Sequence, residues 1–242
     1  MKRILGDIRR ADADFGLIRR GERVAVGVSG GKDSLVLLRA MALYSRFDVK
    51  PFEVIAVTLK TGNPFDTSAI RALCEELGVP YHVEECDLIH ELFDIRKEEH
   101  PCALCARLRR GALLRMAADL GCSKLALGHH REDVEETLLM SLLHEARLHT
   151  FQPLTVMEDQ PVAVIRPMVY VPEKEIIHAA RKLAVPVVKN PCPVDGQTER
   201  QEMKELLNSL SRRYPQAREY LLKALRENDG SGLWNRCERE DH

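Results

Sequence analysis

The amino-acid sequence predicts an α/β fold: a doubly wound parallel sheet with a helical C-terminal extension. Three observations carry this expectation. Short apolar runs (RVAVGV, EVIAVTL, YHV and KLALGH) alternate with longer segments of helical period. The first, second and fourth of these runs are apolar or rich in β-branched residues, as parallel strands covered on both faces are. The length of 242 residues suits one domain with a small appendage and permits a large core. Successive βαβ units cross over right-handed and put a ligand at the carboxyl ends of the strands.

The elements follow in order. The opening MKRILGDIRRADADFGLIRR is charged and amphipathic and lacks a signal peptide's apolar core. No apolar run reaches the length of about 18 residues that a membrane span needs, so a cytoplasmic protein without membrane attachment is expected. After RVAVGV comes the helix DSLVLLRAMALYS, then the strand EVIAVTL. DTSAIRALCEELG reads as a helix capped by Asp66 or Thr67 and stopped by Gly78, ahead of the strand YHV. ALCARLRRGALLRMAADLG closes at Gly121 before KLALGH. Pro172 sits where a first helical turn begins, before EKEIIHAARKLAV. Thr198 and Gln201 form a T-x-x-Q capping box that opens ERQEMKELLNSLSRRY. The tail NDGSGLWNRCEREDH has no period and reads as loose. The division is therefore an N-terminal helical segment (1–22), an α/β domain (23–190), a helical extension (191–228) and a tail (229–242).

Composition narrows the chemistry without choosing the partner. Seven cysteines, an odd number in a chain without a signal peptide, point to thiols, metal ligation or catalysis in a reducing compartment rather than to a disulfide framework. A net charge of -1 neither requires nor excludes nucleic acid, because a polyanion needs only a local basic patch. Two such patches exist: Arg107, Arg109, Arg110 and Arg115 after a C-x-x-C, and Arg9, Arg10, Arg19 and Arg20 near the start. Arginines of this kind position RNA through its phosphates, although solvated helix faces look the same in sequence.

The densest signal is Ser29-Gly30-Gly31-Lys32-Asp33-Ser34, directly after the first strand. A Walker A loop needs a glycine at position 26 and a hydroxyl after the lysine, and Val26 and Asp33 stand there instead. The turn still joins a strand to a helix start, where free N–H groups and the helix dipole favour an anion. Lys32 adds a point charge and the two serines add hydroxyls. Asp33 has the wrong sign for a phosphate unless it caps the helix or holds magnesium. A second strand-to-helix junction, LGHHREDVEETLL, crowds Glu132, Asp133, Glu135 and Glu136 into its helix and would repel a phosphate without a cation. The two junctions should therefore divide a nucleotide between them.

Cys102 and Cys105 form the C-x-x-C, and Cys192 lies far downstream on a proline-flanked loop. Three thiolates suit iron-sulfur or zinc. Cys74, Cys86, Cys122 and Cys237 sit in helical, strand-end or tail contexts and read as buried or incidental thiols.

The S-G-G-K-D-S loop resembles the hallmark of the PP-loop ATP pyrophosphatases, whose fold is that of the adenine nucleotide alpha hydrolases. The resemblance implies ATP and Mg2+ as cofactors, pyrophosphate held by residues 29 to 34, adenylation of an acceptor's carbonyl oxygen, and Lys32 and Asp33 as catalytic residues. The family's G-H-x-x-D-D-x-x-E-T stretch implies Gly128 and His129 near the nucleoside and Asp133 near the metal or the loop. Its first acid is Glu132 here, which leaves the role of that position open. IRPMVYVPEKEI is similar to the family's R-P-L stretch and makes Arg166 and Lys174 candidate anion contacts.

PCALCARLRRGALLRMAADLGCSKLALGHHREDVEETLL resembles the tRNA 2-thiocytidine synthetases over roughly residues 5 to 215. That resemblance implies thiolation of cytidine 32 in tRNA. It also implies a [4Fe-4S] cluster on Cys102, Cys105 and Cys192 with one iron open to sulfur, and an external sulfur donor such as a cysteine desulfurase. A homodimer stays open. Many members read C-x-x-C-G downstream, whereas this chain reads Cys192-Pro193-Val194-Asp195-Gly196, so Cys192 is the third ligand available in that stretch. Three other readings compete. One is a lysidine-type tRNA synthetase, and a second is another PP-loop adenylating enzyme; either could carry a structural zinc closed by His100. The third is a non-enzymatic ATP-binding sensor.

Overall fold

The computed structural model describes residues 1–47, 50–62, 65–87, 101–188, 199–226 and Trp234. The strands are β1 (Arg23–Gly27), β2 (Glu53–Lys60), β3 (Tyr81–Glu85), β4 (Lys124–Ala126), β5 (Leu154–Thr155) and β6 (Ala163–Ile165). The helices are α1 (Lys2–Phe15), α2 (Lys32–Phe47), α3 (Ser68–Leu77), α4 (Pro101–Asp119), α5 (Arg131–His144), α6 (Glu173–Lys182), α7 (Glu199–Arg213) and α8 (Ala217–Arg226). They surround one sheet of order β3-β2-β1-β4-β6-β5. The doubly wound parallel sheet is as expected, and its strands β3 to β6 in that order run parallel. The final strand β5 is antiparallel to β6. At two residues β5 is too short to carry an alternation in sequence. Among the described residues, no helix is long and apolar enough to cross a membrane.

The side chains of β1 point alternately to two cores, as strand geometry requires. Val24 and Val26 join the larger core with Leu35, Leu38 and Met41 of α2, Ile70 of α3, Val134 of α5 and Ile176 of α6. Ala25 faces the smaller core with Ala112, Leu114, Met116 and Ala117 of α4. The central helix α2 is apolar around most of its circumference because it is covered on most sides. Leu35, Val36, Leu37, Leu38, Ala40 and Met41 have no exposed surface. Truncating a buried leucine of this kind to alanine costs about 2–5 kcal/mol.

Helix ends follow their signals with small shifts. For α3 the cap position is Thr67, but the bonding side chain is that of Asp66, which accepts the N–H of Ser68 at 2.8 Å. Gly78 closes the same helix in the left-handed region, φ 62°. Pro172 stands one residue before α6 as its cap, with φ -66° and ψ 140°, rather than inside the first turn. Thr198 of the expected capping box lies outside the described residues, as do His100, Cys192 and Cys237. Trp234 falls in the stretch expected to be loose, yet it is buried. Its indole packs edge-on against Phe15 and its Nε1–H donates to the carbonyl of Phe151 at 3.0 Å.

The order of pairing decides where a ligand can bind. From β1 the chain moves to β2 and β3 on one side, then returns to place β4 on the other. The loops after β1 and β4 therefore diverge at the switch point, where doubly wound sheets hold ligands.

Candidate active site

A cavity of about 420 Å³ opens at this switch point. The β1–α2 loop contributes Ser29, Gly31, Asp33 and Ser34, and the β4–α5 junction contributes Gly128, His129 and Asp133. The third wall is helix α4, with Ala106, Arg109, Arg110 and Leu113.

The loop is shaped by two residues. Gly30 sits at φ 83°, and a Cβ there would lie 2.8 Å from the ring of Phe65, so both backbone and packing require glycine. The hydroxyl of Ser34 donates to the carbonyl of Gly31 at 2.9 Å and accepts the N–H of Ser29 at 3.1 Å. This tie folds the loop back on the start of α2, whose first N–H groups have no acceptor within the helix. The result is an anion-binding turn open to the cavity.

Lys32 is turned elsewhere. Its ammonium lies 3.0 Å from Asp33 Oδ1 and 3.1 Å from Glu173 Oε1, outside the cavity lining. Burial pulls the ammonium down, but Asp33 and Glu173 together outweigh it and hold it above the usual lysine value. Glu173 in turn accepts from Lys204 at 2.8 Å. Burial would raise the Glu173 carboxyl, yet the hydrogen bonds from Lys204 and Lys32 bring it down to about 2.

The acidic cluster on α5 resolves into separate tasks. Asp133 Oδ2 accepts the backbone N–H of His130 at 2.8 Å and so caps its own helix. Glu132 Oε2 accepts the N–H of Glu173 at 2.8 Å, which anchors the start of α6. Glu135, without exposed surface, is paired with Arg131 at 2.9 Å and with Arg218 of α8. Glu136 is buried beside Asp133; burial first, then that neighbouring charge, raise its carboxyl to about 7, against Arg200 and Lys204. His130 is buried, which disfavours its charged form, but Glu132 at 3.3 Å, Asp133 and Asp33 raise it instead. His129 goes the other way: burial holds it at about 4 against the pull of Asp133, so its ring is neutral near pH 7. That ring rests on Phe151, with centroids 4.9 Å apart, and its Nδ1 has no hydrogen-bond partner among the described residues.

The residues expected to meet a nucleotide thus divide. Ser29, Gly31, Asp33, Ser34, Gly128, His129 and Asp133 share the cavity. Arg166 is buried behind it, where Nη1 donates to the carbonyl of Gln152 and at 2.9 Å to Thr155 Oγ1, and the guanidinium stacks on Phe151. Lys174 is exposed on the first turn of α6. Sequence reasoning missed Glu173, Lys204 and Arg200. Glu173 had a signal of a kind, an acid at a helix start; the docking of α7 had none.

The thiol positions continue one wall. Residues 102 and 105 fall on the same helical stripe of α4 as Ala106, Arg109, Arg110 and Leu113, at spacings of three and four. Cys105 is half-buried there. Val188, the last described residue before the stretch containing Cys192, donates its N–H to the carbonyl of Gly30 at 3.0 Å. Arg200, just after that stretch, lines the cavity. The three expected ligands are all thiols, the donor chemistry that an iron-sulfur cluster takes. Among the described residues alone, no group of three or more His, Cys, Asp or Glu could hold a metal.

Sheet order, switch-point loop and cavity define a nucleotide-binding α/β protein, and residues 7–210 match the PP-loop domain. A tRNA-cytidine(32) 2-sulfurtransferase of Geobacter sulfurreducens is 44% identical over 233 residues, spanning 93% of this chain and 89% of that protein. One from Cereibacter sphaeroides is 38% identical, spanning 93% and 78%. The chain belongs to the PP-loop family and, within it, to the family of the tRNA-cytidine(32) 2-sulfurtransferases. Among solved structures, the U34-tRNA thiolase from Methanococcus maripaludis with its [4Fe-4S] cluster has a TM-score of 0.75 at 24% identity, covering 92% of this chain and 76% of its own. An NMN synthetase from Francisella tularensis has a TM-score of 0.54 at 17% identity, with 86% of each chain covered. These two likenesses show the fold.

Proposed function

We propose that this protein is a cytoplasmic, ATP-dependent tRNA sulfurtransferase that converts cytidine 32 of tRNA to 2-thiocytidine. One observation carries the reading: the phosphate-type loop at Ser29–Ser34 and the helix that bears the C-x-x-C are two walls of one cavity. Activation and sulfur transfer can then occur on the same base without its leaving the site. The relatives at 38–44% identity bear that name along nearly the whole chain.

In the first step the O2 of cytidine attacks the α-phosphate of ATP, and pyrophosphate leaves. The N–H groups at the start of α2 stabilise the departing charge, and Asp33 and Asp133 would hold the magnesium ion that screens it. Neutral His129, seated on Phe151, offers an apolar, uncharged wall to a nucleoside ring. In the second step a sulfur nucleophile attacks C2, the C2–O bond breaks and AMP departs. Cys102, Cys105 and Cys192 would hold a [4Fe-4S] cluster, which supplies an iron without a protein ligand at which sulfur can be presented, reloaded by a donor such as a cysteine desulfurase.

The RNA has a track to follow. Arg107, Arg110 and Arg115 border a groove on α4, and Arg110 belongs to both groove and cavity. Phosphates bound there would lead a flipped base toward the loop. The test is direct: anaerobically purified protein given ATP, magnesium, sulfide and unmodified tRNA should yield 2-thiocytidine when the digested nucleosides are weighed. Lysidine in the digest, or ATP hydrolysis with no thiolated base, would overturn the reading.

A further inference from the structure

We infer that Arg200 is a direct contact of the leaving pyrophosphate, parked on Asp133 until the nucleotide arrives; the inference rests on the ATP-dependent reading above. The cavity presents a charge problem. Of the described residues lining it, Asp33 and Asp133 are anionic and Arg109, Arg110 and Arg200 are cationic. The loop's own lysine does not help, since its ammonium is held between Asp33 and Glu173 outside the lining. Arg109 and Arg110 belong to the thiol helix, where the acceptor base must also fit. Arg200 enters the cavity from α7 and meets the start of α5 instead. It donates to Asp133 Oδ1 at 3.0 Å; the other oxygen of Asp133 lies 3.6 Å from His130 Nε2, which lies 3.9 Å from Asp33 Oδ1.

Its present bonding is replaceable. One strong bond joins Arg200 to Asp133, and the second, from Nη2 to Thr137 Oγ1, is long at 3.5 Å. The side chain is 42% exposed, so it can move without unpacking a core. A guanidinium offers five donors in a fork that fits two phosphate oxygens, and a polyphosphate carries more charge than a single carboxylate. Position on the backbone also favours the role. Helix α7 is fixed independently by Met203 and Leu207, which pack against Leu139 of α5, and by the Lys204–Glu173 pair. The arginine can therefore change partner while its helix stays in place.

Binding of inorganic pyrophosphate and of AMP to the cluster-loaded protein, measured by calorimetry with magnesium present, separates this role from a structural one. Arg200→Gln should weaken pyrophosphate by about ten-fold or more, the factor expected on removal of a charge-assisted hydrogen bond, and leave AMP affinity unchanged. Arg200→Lys should recover part of the loss, since it restores charge without the fork. Thr137→Val removes the long tie from Arg200 to α5 without touching the cavity lining and should leave pyrophosphate affinity near that of the parent protein. Equal losses for AMP and pyrophosphate in Arg200→Gln, no loss for either, or a matching loss in Thr137→Val would overturn the inference. A parent protein that binds neither pyrophosphate nor ATP would overturn the ATP-dependent reading along with it.

Discussion

Gly128 brings the end of β4 so close to the start of α2 that a Cβ on it would lie 3.1 Å from the backbone nitrogen of Ser34. The two junctions proposed to share the nucleotide are thus in backbone contact, and any side chain at 128 wedges them apart. Gly128→Ala should cost about 1–3 kcal/mol, the usual range for overpacking, and should weaken ATP binding more than tRNA binding. Thermal melts and a nucleotide titration check both; unchanged values would mean that the loop shifts freely.

Glu136 gives a pH dependence of stability with a definite sign. Its carboxyl is raised from 4.5 to about 7, first by burial and then by Asp133. Between those values the folded chain keeps a proton that the unfolded chain has lost, so this group's contribution falls as pH rises through the window. Glu136→Gln should therefore be more stable than the parent at about pH 8, by up to about 3 kcal/mol, and the difference should vanish below about pH 5. Denaturant titrations at the two pH values decide it.

Glu173 should behave oppositely. Burial opposes its ionisation, but Lys204 and Lys32 outweigh that and hold it at about 2. Its stabilisation is complete above the unfolded value of 4.5 and is lost as pH falls toward 2. In Glu173→Gln the acid limb of the stability curve should flatten. If the limb keeps its slope, the bridge from α6 to α7 contributes nothing.

Iron content tests the thiol assignment. Substitution of Cys102, Cys105 or Cys192 by alanine should each abolish bound iron and sulfide in protein purified without oxygen, whereas Cys74 and Cys122, both buried in apolar cores, should be replaceable without loss of iron. Zinc in place of iron would sink the cluster.

Trp234 is the single tryptophan of the chain and lies 4% exposed against Phe15 and Tyr170. Its emission should be blue-shifted and resist quenching by iodide. Trp234→Ala should cost about 3–5 kcal/mol. Emission typical of a solvated indole would show that the packing does not persist in solution.

Neutralising Arg107 and Arg115, which border the groove but not the cavity, should weaken tRNA binding and reduce its salt slope by about one for each arginine that neutralises a phosphate, with ATP affinity unmoved. An unchanged slope would leave them as a solvated face.

The sheet, the switch-point loop and the thiol helix were legible before any folding was considered, because each is written in local terms. These are apolar runs of strand length, a glycine pair at a strand-to-helix turn, and cysteines three apart on a helix. Gly30 is visible in sequence only as one of that pair; its positive φ against the ring of Phe65 belongs to the folded chain. Chain folding alone settled which charges face which. Lys32 follows Gly31 in the loop, yet its ammonium points at Glu173, 141 positions on, because α6 packs beside α2. Asp133 meets Arg200 across 67 positions because α7 docks on α5 through Leu139, Met203 and Leu207. The bonding of Glu132 and Glu135 likewise depends on α6 and α8. Ion pairs between distant segments leave no periodic trace, since a charged residue on a helix looks the same in sequence whether it faces water or a partner. Burial turns that ambiguity into a definite charge state, and burial is a property of the packed chain.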